Sequence, residues 1–242
     1  MSPDDFRVAG HQLVEDLATF LESMPSGKVT ESPQVADLQA ILGNGGIPRE
    51  GMDPNELLGE VTGQLIRHSL FNGHPRFWGY VTSSPAPIGV LGDFLASAMN
   101  QNVGAWQLSP LASEIEAQTI RWVAEFVGYP PDCGGLMVSG GNMANFVGFL
   151  AGRKAMVPWD IRKEGFQHHK EQVRVYCSDA THTWIQKASD LFGLGTDAIR
   201  WIPSDRDQHM DVGKLAEQIE IDKERGLLPL LVAASAGTVA TG

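Results

Sequence analysis

The chain has 242 residues, with 18 Lys and Arg against 29 Asp and Glu, for a formal charge of −11. That balance, with no basic cluster, argues against a nucleic-acid partner, and the apolar runs are too short or too interrupted to span a bilayer. Cys133 and Cys177 are too few for a disulfide framework and lack metal-ligand spacing; the acidic N-terminus has no signal-peptide hydrophobic region. The reading is a cytoplasmic protein with no metal site.

Residues 4–24 are predicted to form an amphipathic helix, with Phe6, Leu13, Leu17, Phe20 and Leu21 on one side. Pro25-Ser26-Gly27 ends it, and residues 28–53 read as a connector holding Gly43-Asn44-Gly45-Gly46 and a short helical piece at 35–42. Asp53-Pro54 caps a second helix to about Leu70. These helices serve as packing material, yet their apolar face needs a cover, which a partner subunit could supply.

The next loop, His74-Pro75-Arg76-Phe77-Trp78-Gly79-Tyr80-Val81-Thr82-Ser83, is dense in aromatics and turn formers. One aromatic reads as a core plug, while the group beside hydroxyls fits a pocket wall. Helices are predicted at 88–100 and 109–127, the second capped by Ser109-Pro110 with Glu114 and Glu116 in or near its first turn.

Leu136 to Val138 reads as a short buried strand, followed by the turn Ser139-Gly140-Gly141-Asn142 and a helix carrying Met143, Phe146, Val147 and Leu150 at helical spacing. A glycine turn at a helix N-terminus offers unpaired N–H groups and the positive end of the helix dipole, which suits a phosphate. It equally suits tight strand-to-helix packing, and it matches neither the Walker nor the dinucleotide glycine pattern. Beyond it, strands at 174–177, 198–202 and 228–234 alternate with helices at 183–192 and 211–225, the pattern of a mostly parallel sheet covered by helices. Ligands bind such sheets at strand carboxyl ends, here Ser139 to Asn142, Asp179 to His182, and Gly237 to Thr238. The last strand leads into a small-residue loop ending at Gly242, so a longer polypeptide is expected.

With these residues in view, the chain resembles the pyridoxal-phosphate-dependent amino-acid decarboxylases of the aromatic-L-amino-acid and glutamate decarboxylase group. The resemblance runs from about residue 50 onward. It rests on His74-Pro75-Arg76-Phe77-Trp78-Gly79-Tyr80, Ser109-Pro110, Ser139-Gly140-Gly141-Asn142-Met143-Ala144-Asn145, Ser178-Asp179-Ala180-Thr181-His182, His209-Met210-Asp211 and Ala236-Gly237-Thr238. It implies an α/β fold of the type I pyridoxal-phosphate class, whose seven-stranded sheet is incomplete in this chain, and an N-terminal arm that wraps the partner of a homodimer. The corresponding domains are 1–72 for the arm and 73–242 for the first part of the cofactor-binding domain.

The resemblance also implies roles. Gly141, Asn142 and Met143 match the cofactor-phosphate site, and His182 matches a histidine with a catalytic role that stacks on the pyridine ring. Thr238 matches a loop reaching the cofactor, and Tyr80, Val81, Thr82 and Ser83 match a substrate-side loop. Residues 102–106 match a stretch that crosses the dimer interface. Asn142 and Ala144 stand where the family has small hydroxyl ligands, which reduces the side-chain bonds to phosphate expected here. The family's cofactor-anchoring lysine and its pyridine-nitrogen aspartate are expected beyond residue 242; Lys154 and Lys187 lack that context. The implied activity of the full-length protein is decarboxylation of an L-amino acid to an amine and carbon dioxide. A lyase or aldehyde-forming relative on the same fold, or a non-catalytic truncated dimerisation partner, are the alternatives.

Overall fold

A computed structural model describes residues 1–43, 45–166 and 171–239. Asn44 of the glycine-rich turn and the chain end at 240–242 therefore lie outside the described residues. The chain divides into two compact units, Met1–Phe94 and Leu95–Gly242.

The first unit is helical. Helix α1, Pro3–Ser23, starts with a reciprocal cap in which the Ser2 hydroxyl accepts from the Asp5 N–H and the Asp5 carboxylate accepts from the Ser2 N–H. These two bonds satisfy donors that the first turn would otherwise strand. Its predicted stripe turns inward: Leu13, Leu17, Phe20 and Leu21 are half-buried, and α1 packs against α3, Pro54–His68. Between them in the sequence comes α2, Val35–Leu42. The Asp53 carboxylate caps α3 by accepting from the N–H groups of Asn55 and Glu56. Phe20 meets Phe71 at 4.8 Å between ring centroids. Much of the apolar surface stays open, including Phe6 and Val14 on α1 and Leu57 and Leu65 on α3.

The aromatic loop is tied to the end of α1 by a buried histidine. His74 is 1% exposed; its Nδ1 accepts from the Arg76 N–H at 3.0 Å, and its Nε2 lies 3.3 Å from the Gly27 carbonyl oxygen. The Arg76 guanidinium donates to that same oxygen at 2.7 Å. Helix α4, Pro87–Met99, follows, with its whole length exposed.

In the second unit α5, Pro110–Phe126, precedes α6, Gly141–Met156, and the short α7, Ile161–Glu164. Then β1, Val173–Ser178, α8, Trp184–Leu191, β2, Ile199–Ile202, α9, Val212–Glu224, and β3, Leu228–Ala233, alternate as the pattern of apolar runs predicts. The strands form a parallel sheet of order β2-β1-β3, with Val175 opposite Ile199 and Leu231. The central strand is buried along its length except at Arg174, which is half-buried. Val175, Cys177 and Ile185 form the core with Phe149 of α6, and Phe149 stacks on Phe192 at 5.4 Å. Burial pushes the Cys177 thiol up to about 11, so it stays a neutral packing group.

One polar cluster sits inside this apolar unit. Asp222 of α9 is fully buried and accepts from Arg200 of β2, from the Tyr176 hydroxyl of β1 at 3.0 Å and from Gln218 at 3.2 Å. Burial acts to raise the Asp222 carboxyl, but the hydrogen bonds from Arg200 and Tyr176 outweigh it and hold the group below its ordinary value. The same burial, aided by the bond to Asp222, pushes the Tyr176 phenol up. One carboxylate of α9 thus joins the helix to both β1 and β2.

Two local expectations are corrected. Leu136 to Val138 forms no strand, because no neighbouring strand among the described residues pairs with it, and Leu136 and Met137 are exposed rather than buried; the Met137 N–H donates to the Glu116 carboxylate at 2.8 Å instead. Ser109 occupies the position before α5 without capping it through its side chain. Its hydroxyl donates to Gln101, and Glu114 lies past the first turn, where it accepts from the Trp106 indole.

Candidate functional site

The site grows out of the start of α6. Gly140 precedes the helix with φ 146° and ψ 173°, a conformation that a Cβ makes costly, and its carbonyl accepts the first helical bond, from Ala144. The N–H groups of Gly141, Asn142 and Met143 come before that bond, and no side chain caps them. A 16-residue helix directs its positive end at the same point. A Cβ built on Gly140 or Gly141 meets nothing within 4 Å, so open space lies in front of these donors.

That space is a cavity of about 660 Å³. Its walls come from three chain segments: Ser139 to Met143 with Asn145, then His182 and Trp184 after β1, and Ala234 and Ser235 after β3. It therefore opens at the carboxyl ends of two parallel strands, the usual ligand position in such sheets. None of these lining residues carries an acidic side chain, and none is lysine or arginine. An anion here meets backbone dipoles rather than a cationic side chain.

His182 sits at the edge of the cavity, on the turn between β1 and α8, and is exposed. Its Nδ1 accepts from the Trp184 N–H at 3.2 Å, which places the proton of a neutral ring on Nε2. The turn is held from below by Ser178 and Thr181, both buried, whose hydroxyls lie 3.1 Å apart. Trp184 also packs against the core, so the wall it forms is anchored.

The remaining expected residues do not line this cavity. Thr238 is half-buried and falls outside the lining of the cavity. Tyr80, Val81, Thr82 and Ser83 belong to the first unit and are all exposed; Tyr80 has a φ of 63°, uncommon for a bulky residue. Asn145, Trp184 and Ser235 were not singled out by sequence reasoning. Asn145 was recoverable, since it stands three residues after Asn142 and hence on the same side of α6.

Residues 43–242 match the family model described as the pyridoxal-dependent decarboxylase conserved domain. The chain belongs to this family. Among decarboxylase-family relatives, the aromatic-L-amino-acid decarboxylase of Bacillus atrophaeus is 32% identical over 242 residues, covering 100% of this chain and 48% of that protein. The phenylacetaldehyde synthase of Petunia hybrida is 26% identical over 249 residues, again covering 100% of this chain and 48% of the relative. The crystal structure of Oryza sativa TDC with PLP and tryptamine superposes with a TM-score of 0.87 at 27% identity, covering 99% of this chain and 50% of that one. The chain thus spans about half the length of the curated relatives it matches.

The decarboxylase-family cofactor, pyridoxal phosphate, can be tested against this cavity. Three uncapped N–H groups at a helix start, a glycine cradle open in front of them and a lining free of carboxylates fit its phosphate. The exposed imidazole of His182 on the rim fits a flat aromatic ring.

Proposed function

We propose that this chain is the cofactor-phosphate half of a pyridoxal-phosphate-dependent amino-acid decarboxylase that converts an L-amino acid to an amine and carbon dioxide. The observation that carries the reading is the coincidence, in one cavity, of the open N–H groups of Gly141, Asn142 and Met143 with the imidazole of His182. When bound, the cofactor supplies an electron-poor ring that takes up the electrons left as the carboxylate departs.

The chain's own residues bind and orient. The backbone of Gly141, Asn142 and Met143 holds the phosphate, and the side chain of Asn142 adds a polar contact. His182 would lie against the ring face, a contact of about 0.5–1.5 kcal/mol by analogy with aromatic pairs, while its Nε2–H would remain available as a donor to substrate. Thr238 belongs to the loop that would reach toward the cofactor, and Tyr80, Val81, Thr82 and Ser83 would form the substrate-side loop. The aromatic character of that loop favours an aromatic or bulky amino acid. In this reading residues 1–72 are a dimerisation arm, residues 73–242 begin the cofactor domain, the enzyme is a cytoplasmic homodimer, and the anchoring lysine lies in the remainder of the protein.

Similarity to the Petunia hybrida phenylacetaldehyde synthase favours a second reading, an aldehyde-forming reaction on the same fold. Incubating the full-length protein with pyridoxal phosphate and a panel of L-amino acids, and following amine and carbon dioxide by mass spectrometry, separates them. Amine with equimolar carbon dioxide is the expected result. Aldehyde, ammonia and hydrogen peroxide in place of amine, with dioxygen and water consumed, would establish the second reading, and no carbon dioxide from any amino acid would refute both.

A further inference from the structure

His182 is carried by a short turn, and a second structure outside the cavity grips that turn. The Asp179 N–H donates to the Ile202 carbonyl at 3.0 Å, extending the pairing of β1 and β2 one step past their last paired residues. The Asp179 carboxylate then accepts from the Ser204 hydroxyl at 2.5 Å. That bond is the largest influence on the carboxyl; it outweighs the opposing effect of burial and holds the group below its ordinary value.

Ser204 is fixed in turn. It bridges to Met210 across a small antiparallel loop, which the Asp205 carboxylate closes by accepting from the N–H groups of Asp207 and His209, both at 2.9 Å. The Asp211 N–H donates to the Pro203 carbonyl at 3.0 Å, joining the loop to the start of α9. The turn bearing His182 is therefore held at two points: inside by the Ser178–Thr181 pair, and outside by this loop through Asp179. The inner contact is buried packing, whereas the outer one is exposed and adds little to the core. Its geometric consequence falls on the residue three positions along the turn, at the cavity rim.

We propose that Asp179 and Ser204 are positioning residues that set the placement of His182 against the cofactor ring. The inference rests on the reading that His182 stacks on that ring. Removing the Ser204 hydroxyl takes away the largest of the hydrogen bonds on the Asp179 carboxylate, leaving weaker backbone ones, and lets the turn shift, so the imidazole covers the ring in fewer of its accessible positions.

The test uses the full-length protein and pyridoxal 5′-phosphate as the probe. Ser204→Ala, Ser204→Thr, Asp179→Asn and His182→Ala are compared by cofactor dissociation constant, by the visible circular dichroism of the bound cofactor and by the melting temperature of the apo-protein. Ser204→Ala and Asp179→Asn are each expected to weaken cofactor binding about fivefold, as befits one hydrogen bond of ordinary net strength. They should also reduce the visible dichroism while leaving the apo melting temperature close to that of the wild type. Ser204→Thr, which keeps the hydroxyl, should restore both signals. Added to His182→Ala, Ser204→Ala should cause no further loss. If His182→Ala weakens binding but Ser204→Ala does not, or if their effects simply add, the latch is overturned and the stacking role stands. If His182→Ala itself leaves binding and dichroism unchanged, the stacking reading falls and the latch falls with it.

Discussion

Replacing Asp222 with asparagine keeps the side chain's shape while removing a charge from a fully buried position. In the wild type the carboxylate faces donors from Arg200, Tyr176 and Gln218 and contributes only acceptors. An asparagine offers one oxygen and turns an N–H₂ group toward some of those donors, leaving the guanidinium without its counter-charge. Removing one member of a buried ion pair costs about 3–5 kcal/mol. Arg200 retains 23% exposure, so water relieves part of that loss, and about 3 kcal/mol is expected. Tyr176→Phe removes one hydrogen bond only and should cost about 1 kcal/mol. The assay is urea denaturation of the apo-protein, comparing transition midpoints where the slope is unchanged.

Acid supplies a second check on the same residue. The folded carboxyl lies below its ordinary value, so its contribution is present above the unfolded value of about 3.9 and is lost as pH falls through the folded one. The wild-type advantage over Asp222→Asn should therefore be full at pH 7 and shrink on acidification below about pH 4. A difference at pH 7 smaller than about 1 kcal/mol, or one that grows with acid, would refute the account of this cluster.

Gly141→Val should weaken pyridoxal phosphate binding at least tenfold while shifting the apo melting temperature little, because its Cβ meets open space in the apo-protein and would intrude on the proposed phosphate position. Spectrophotometric titration decides this, and unchanged affinity would count against the phosphate site. Gly140→Ala should instead destabilise the apo-protein by about 1–3 kcal/mol, since φ 146° suits glycine alone; an unchanged urea midpoint would contradict that. Deleting residues 1–24 from the full-length protein should yield monomer or aggregate by light scattering, because Phe6, Val8 and Val14 stay exposed after α1 has packed on α3; a well-behaved dimer would oppose the dimerisation role.

Element order in the second unit was legible because its strands are apolar runs of four to six residues and its helices carry their own stop signals. Glycine-turn chemistry at 139–142 likewise predicted where α6 would start and where its unpaired donors would face. The stretch at 136–138 was misread because an apolar run records only a preference for burial, whereas a buried strand requires a pairing partner, and without one among the described residues Leu136 and Met137 stay exposed. Ser109 was misread for a related reason: a hydroxyl before a proline has several acceptors in reach, and Gln101 is remote enough in sequence to escape a local rule. The Asp222 cluster was invisible for the same cause. Its members are 24 and 22 residues apart along the chain, and only the β1–β2 register and the return of α9 bring them together.

The order β2-β1-β3 has a consequence for synthesis. The central strand emerges from the ribosome before either neighbour, and Val173 must wait about 55 residues for Leu228 to complete its second edge. At translation speeds of about 5–20 residues per second, that leaves the strand with an open side for several seconds. Its mostly apolar residues and the unpaired edge are, in that interval, a template for any other extended chain nearby. A bacterial or eukaryotic cell making this protein in quantity would be expected to depend on chaperones that bind nascent segments of this kind, with slow translation near codons 173–228 raising rather than lowering the yield of insoluble material.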